Sequence, residues 1–196
     1  MEQTKTKIDL TSSKVRNILI VLSIFATVKM LFFAFGLDEE YQLVMSYRNA
    51  IGDRLFYSMW EPHQSSAFLC SILMKPYLAL LGTRYIVLYL RACGALIHFL
   101  ISVYFYKTIK NYTKPEYAWI LALIYYNTIP KQIMMPEFGM MQVWFFTLLF
   151  LFLLRYSVGS VEPTFWRKNI YIILAALMLV GNILSYPSCL IFSPFL

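Results

Sequence analysis

The stretch that decides the fold is NILIVLSIFATVKMLFFAFGL, residues 17–37. It is apolar for long enough to cross a hydrocarbon core of about 30 Å at about 1.5 Å per residue. Lysines and arginines precede it in residues 1–16, as expected of a first span that follows a cytoplasmic amino terminus. A cleaved signal peptide is the competing interpretation, but the run exceeds the usual apolar length of about 7–15 residues. We therefore predict a cytoplasmic segment at 1–16 and a transmembrane span at 17–37.

The composition supports a membrane protein. Of the 196 residues, 60% are hydrophobic and 14% are charged, too few to cover a water-soluble core of this size. The net charge is +7, but the cations lie in short groups between apolar runs. That pattern is typical of membrane loops and argues against nucleic-acid binding.

Five further apolar runs follow, and one of them is ambiguous. Residues 65–81 contain Lys75-Pro76 near their middle. If this run does not span, ten loop cations lie inside and five outside; if it spans, six lie inside and eight outside. Because cations concentrate in the cytoplasm, the first topology is favoured. It predicts an all-α bundle of about five spans, with juxtamembrane helices in an external loop at 38–84 and the remaining spans in 85–196. Those remaining spans are expected at 85–106, 117–129, 139–154 and 170–186.

Three carboxylates, Asp38-Glu39-Glu40, come directly after the first span. A solvated helix start is one explanation, with Asp38 as the N-cap of the next helix. The other is a general base for an acceptor hydroxyl, or a ligand for a hard divalent cation such as Mg²⁺ or Mn²⁺. The spacing leaves both open.

A second polar group, Glu61-Pro62-His63-Gln64, lies in the same loop. His63 by itself is typical of a surface residue. Beside carboxylates, however, an imidazole is able to bind metal or to transfer protons.

Two cations fall within predicted spans, where facing lipid would cost roughly 2.5–3.5 kcal/mol each. Arg91 lies near the external end of the second span, and Lys29 lies within the first. Arg91 is suited either to a bidentate phosphate contact or to a structural ion pair with Glu137 or Asp38. Lys29 is expected to pair internally or to extend to the interface.

The order of these features resembles the amino-terminal part of GT-C membrane glycosyltransferases, over about residues 10–155. The resemblance is to the group of protein O-mannosyltransferases and the lipid A aminoarabinose transferase. It rests on a basic start, one span and then motifs in a fixed order. These motifs are Leu37-Asp38-Glu39-Glu40-Tyr41, Gly52-Asp53, Trp60-Glu61-Pro62-His63-Gln64, Leu81-Gly82 and Leu90-Arg91-Ala92.

The resemblance implies a catalytic acidic pair at Asp38 and Glu39, and substrate contacts at Arg91 and Glu137. The group at 61–64 stands where many members carry a stretch with His and Pro, so His63 and Gln64 are expected to line the site. The later spans of the family are missing, and the chain stops directly after an apolar run. We therefore expect it to be an amino-terminal piece of a longer protein, which leaves open an inactive fragment.

The function implied is transfer of a sugar from a polyprenyl phosphate to an acceptor hydroxyl at the outer face of the plasma membrane. The expected partners are the lipid-linked sugar and the bilayer, with a divalent cation as an optional cofactor. The alternative is a non-catalytic transporter or flippase subunit in which Lys29 and Arg91 line a path.

Overall fold

A computed structural model describes residues 12–33, 36–61, 63–158 and 165–195. The chain is all-α, as predicted. Within these described ranges, seven α-helices follow one another: α1 (Ser13–Phe32), α2 (Leu37–Ile51), α3 (Gln64–Leu81), α4 (Ile86–Ile109), α5 (Pro115–Asn127), α6 (Phe138–Val158) and α7 (Phe165–Ser185). Short 3-10 turns lie at Pro130–Gln132 and Pro187–Phe195. The predicted cytoplasmic segment at 1–16 falls mostly outside the described residues.

The chain is a multi-pass membrane protein. By length and composition, four of the described helices are able to cross a bilayer: Ser13–Phe32, Gln64–Leu81, Ile86–Ile109 and Phe138–Ser157. This set differs from the five predicted spans. It includes α3, and it omits α5, whose 13 residues extend about 20 Å and fall short of the hydrocarbon thickness. Residues 169–185 of α7 form a shorter apolar helix.

Side-chain contacts give the direction of each long helix. Arg91, near the start of α4, donates to the Leu31 carbonyl oxygen near the end of α1, so these two helices are antiparallel. Arg155, near the end of α6, donates to Thr108 near the end of α4 and to Tyr171 near the start of α7. The helices α1, α4, α6 and α7 therefore lie side by side and run between the same two ends of the bundle.

We call these the Asp38 end and the Arg16 end. The Asp38 end contains Asp38, His63, Lys131, Phe138 and Tyr186, which contact one another. The Arg16 end contains the start of α1 and the end of α4, since Arg16 and Tyr106 line one groove.

Helices α2 and α3 pair with each other at the Asp38 end. Ser66 donates to Gln42 at 2.8 Å and Ser71 donates to Asn49 at 2.7 Å. Because the earlier residue of α2 contacts the earlier residue of α3, these parts of the two helices run in the same direction. The connection at 52–63 begins at Gly52, whose φ of 118° lies in the left-handed region that glycine tolerates.

Both halves of α3 contact the Asp38 end, although α3 is long and apolar enough to span. Its first residue follows His63, which stacks on Tyr186, and Tyr77 in its last turn stacks on Tyr89 at the start of α4. Cys70 and Met74 are buried with neighbours from the same end of α4. These contacts place both ends of α3 near the Asp38 end of the bundle, and its position outside the membrane stays a prediction of the loop-cation count.

The segment at 133–137 connects α5 to α6 and is buried against α4. A Cβ atom at Gly94 would overlap the carbonyl oxygen of Met134, so glycine allows this close approach of backbone to helix. Met134 and Met135 are almost fully buried. This packing holds Lys131 and Glu137, on either side of the two methionines, against the Asp38 end.

Candidate functional site

Asp38 is the accessible carboxylate of the site. It lies in the first turn of α2, whose N-cap is Gly36, so the expectation that Asp38 is the N-cap is wrong. Its Oδ2 accepts a hydrogen bond from Lys131 Nζ at 2.6 Å. The two side chains are 42% and 46% exposed, respectively, so this ion pair is open to solvent or to a ligand.

Glu39, the next residue in the same turn of α2, is buried. Arg91 Nε donates to Glu39 Oε1 and Arg91 Nη2 donates to Glu39 Oε2, both at 2.7 Å, in a bidentate pair. The side chains are 2% and 7% exposed, and Arg91 Nη1 also donates to the Leu31 carbonyl oxygen. Arg91 does form a structural ion pair, but its partner is Glu39 and not Glu137 or Asp38. The pair joins α2, α4 and the end of α1.

Lys131 is the site residue that sequence reasoning missed. It lies in the 3-10 turn Pro130–Gln132 with φ 52°, and Gln132 follows with φ 59°. Positive φ is uncommon for residues other than glycine and marks a backbone that its surroundings hold in place. Besides the bond to Asp38, Lys131 Nζ lies 4.4 Å from the ring centroid of Phe138, a cation–π distance. The available signal was a cation in a short apolar loop next to Pro130. In the sequence, Lys131 was counted only as one of the loop cations that set the topology.

His63 lies between two aromatic rings. Its imidazole stacks on Phe138 at 4.6 Å and on Tyr186 at 4.5 Å between ring centroids, and its φ is 59°. Its Nδ1 is buried and has no hydrogen-bond partner among the described residues. Burial lowers the pKa of His63, the charge of Lys131 lowers it further, and Asp38 partly offsets both.

Gln64 does not face the ion pair of Asp38. Its side chain is buried, and its Oε1 accepts a hydrogen bond from the backbone N–H of Phe56 at 2.7 Å. Gln64 therefore anchors the connection between α2 and α3, and its contact with substrate stays a prediction.

Glu137 is fully buried directly before α6. Its Oε1 accepts a hydrogen bond from the backbone N–H of Met140 at 2.6 Å, in the first turn of that helix. Its Oε2 is buried with no hydrogen-bond partner in the part of the chain that the structure describes. Burial raises the pKa of Glu137, while the backbone N–H groups of Gly139 and Met140, and then Lys131, oppose the rise.

A small polar cavity joins the two ion pairs. Its volume is about 100 Å³, and its lining includes Glu39, Arg91, Lys131 and Gly36. Two cations and one carboxylate therefore face the same space, and that carboxylate is already bonded twice to Arg91. The net positive lining suits an anion, whereas Asp38 beside it is able to accept a proton.

The predicted divalent cation has no clear set of ligands here. Within the described ranges, no three His, Cys, Asp or Glu side chains are grouped closely enough to hold a metal ion. Asp38 is paired with Lys131, and Glu39 with Arg91. The divalent cation therefore stays a prediction.

The structure thus brings Asp38, His63 and Glu137 together around Lys131, and it places Glu39 and Arg91 behind them as one buried unit. Gln64 lies outside this group. Comparisons of the chain with models of protein families, with curated proteins and with solved structures found no match.

Proposed function

We propose that this chain carries the reaction site of an integral membrane glycosyltransferase, which moves a sugar from a polyprenyl phosphate to an acceptor hydroxyl at the Asp38 end. The observation that carries the proposal is the exposed ion pair of Asp38 and Lys131, beside a small cavity that Arg91 also lines. A base and a phosphate-binding cation are the two groups that this reaction requires.

Asp38 is the base in this proposal. Glu39 is 2% exposed and bonded twice to Arg91, so it positions that guanidinium and does not reach an acceptor. Asp38, at 42% exposure, is able to approach an acceptor hydroxyl at the end of the first span. Its place in the first turn of α2 also suits a carboxylate, because the helix dipole stabilises negative charge there.

Lys131 and Arg91 bind the donor phosphate. Lys131 moves on a flexible stem, and its Nζ is held only by surface contacts to Asp38 and Phe138 among the interactions described above. The guanidinium of Arg91 is fixed by Glu39 and contributes mainly its charge to the cavity wall. An arriving phosphate therefore competes with Asp38 for Lys131.

The transfer then proceeds in one displacement. The acceptor O–H gives its proton to an Asp38 carboxylate oxygen while the acceptor oxygen forms a bond to the anomeric carbon. The bond between that carbon and the phosphate oxygen breaks, and its electron pair leaves on the phosphate, which Lys131 stabilises. Because Lys131 leaves Asp38 when phosphate binds, the base becomes available only when the donor is in place.

The transporter alternative requires Lys29 and Arg91 to line one path. Lys29 is exposed on α1, and it is not among the residues lining the cavity next to Arg91. No observation in the described residues favours this alternative.

The test is sugar transfer by the full-length protein in proteoliposomes, supplied with a panel of polyprenyl-phosphate sugars and hydroxyl acceptors. We expect acceptor-dependent release of polyprenyl phosphate with at least one donor. Lys131→Gln should raise the donor KM roughly tenfold, the order expected for one lost charge-assisted hydrogen bond. Lys75→Gln, an exposed lysine on α3, is the matched control and should leave KM unchanged. Solute uptake without transfer from any donor would refute the proposal.

A further inference from the structure

A groove of about 330 Å³ lies between α1, α4 and α5, in the half of the bundle nearest the Arg16 end. Its walls include Ile20 and Ile24 from α1, Phe99 and Val103 from α4, and Leu123 from α5. On α1 it extends from residue 16 to residue 24, about 12 Å at the helical rise. The groove is therefore elongated along the span and does not reach the Asp38 end.

Three hydroxyl oxygens in the groove wall, those of Ser23, Ser102 and Tyr126, already make hydrogen bonds within the protein. Ser23 Oγ donates to the Leu19 carbonyl oxygen, and Ser102 Oγ donates to the His98 carbonyl oxygen, both at 2.8 Å. The hydroxyl oxygen of Tyr126 accepts a hydrogen bond from Thr27 at 2.8 Å. These hydroxyls leave little polar surface for a ligand, so the groove suits a hydrocarbon chain.

Cations stand at one end of the groove. Arg16 lines it directly, and Lys110 Nζ lies 5.7 Å from the ring centroid of Tyr106, another lining residue. Among the described residues, neither cation has an ion-pair partner. Glu116, in the first turn of α5, is the carboxylate that the structure describes at this end, and it is exposed. The charge at the mouth of the groove is therefore positive.

We infer that this groove binds one chain of an anionic phospholipid, with the lipid phosphate at Arg16 and Lys110. The walls on α1 and α4 lie within helices long and apolar enough to cross a membrane, so a lipid chain is the available occupant, and the cations select an acidic headgroup. The site is separate from the reaction site, because Asp38 lies at the other end of the bundle. It therefore does not rest on the proposed function.

Trp119 provides a reporter, because it lines the groove from α5. The full-length protein is reconstituted in phosphatidylcholine vesicles with rising fractions of phosphatidylglycerol whose chains carry bromine, a quencher of tryptophan. A parallel series uses brominated phosphatidylcholine. The signal of Trp119 is the difference between the wild-type protein and Trp119→Phe. We expect the anionic lipid to associate roughly 25-fold more strongly than the zwitterionic one, because each of the two cations contributes about fivefold near a membrane surface.

Two matched pairs of variants decide the outcome. Arg16→Gln should reduce the preference for the anionic lipid about fivefold, because one of the two cations is lost, whereas Lys14→Gln, an exposed cation outside the groove, should preserve it. Ile20→Phe should fill the groove and weaken association, while Ile18→Phe, exposed and outside it, should not. Equal quenching by both lipids in the wild-type protein would overturn the inference. Equal losses in Arg16→Gln and Lys14→Gln would also overturn it, since they would indicate diffuse surface charge.

Discussion

Replacing Arg91 by methionine should strongly destabilise the protein. The guanidinium makes two hydrogen bonds of 2.7 Å to Glu39, and the two side chains are 7% and 2% exposed. Methionine fills a similar volume but leaves the Glu39 carboxylate buried without its cation. Breaking a buried ion pair on one side costs about 3–5 kcal/mol of unfolding free energy, because the remaining charge has lost both water and partner.

A double-mutant cycle separates the ion pair from general packing. Glu39→Met combined with Arg91→Met removes both charges, and we expect this double variant to be more stable than Arg91→Met alone. The free energies of unfolding are measured by denaturant titration of the protein in detergent micelles.

The ion pair of Arg48 and Asp53 is the matched control. Its N–O distance is also 2.7 Å, but its side chains are 35% and 36% exposed. Arg48→Met should therefore change the unfolding free energy by at most about 1 kcal/mol. A loss in Arg91→Met as small as that in Arg48→Met would refute the reasoning, as would strictly additive losses in the cycle.

Three further predictions concern the surroundings of Lys131. Burial raises the pKa of Glu137, so the folded protein binds the carboxyl proton of Glu137 more tightly than the unfolded chain does. Stability therefore falls as the pH rises through the folded pKa. Glu137→Gln should raise the melting temperature at pH 8 and make the melting temperature depend less on pH. The pKa of His63 is lowered from 6.5, so the contribution of neutral His63 to stability is complete above that value and is lost as the pH falls below it. His63→Phe should remove this loss of stability at low pH when melting temperatures are measured between pH 5 and 8. The same fall in melting temperature in the variant and the wild-type protein would contradict the prediction. Gly94→Ala should push Met134 away from α4, lower stability by about 1–3 kcal/mol and reduce transfer, whereas Leu96→Ala on an exposed face of α4 should leave transfer intact.

The bundle was predictable because apolar periodicity and loop charge are local properties of a sequence. The run at 17–37 predicted α1 within a few residues, whereas the placement of residues 65–81 outside the membrane stays a prediction of the cation count. The run predicted at 117–129 has 13 residues, as does α5, but the helix begins two residues earlier, at Pro115, and ends at Asn127.

The site was only partly predictable because its contacts depend on helix rotation. Asp38, Glu39 and Glu40 are about 100° apart around one helix, and the sequence does not specify which of them faces α4. The pairing of Glu39 with Arg91 joins residues 52 positions apart. The position of Lys131 depends equally on the buried segment at 133–137, whose close approach to Gly94 is a feature of packing. The order of residues in the sequence therefore indicates which side chains lie near the Asp38 end of the bundle. It does not indicate which of them form ion pairs with one another.

The central claim is that Asp38 takes the acceptor proton, and single-turnover transfer by Asp38→Asn tests it most directly. We expect the rate with bound donor to fall by roughly 10²–10⁴-fold, the contribution of a general base. The donor Kd should stay the same or decrease, because Lys131 no longer has Asp38 as a competing partner. Glu40→Gln, an exposed carboxylate in the same first turn, should keep its rate. A near-normal rate in Asp38→Asn, or an equal fall in both variants, would contradict the account.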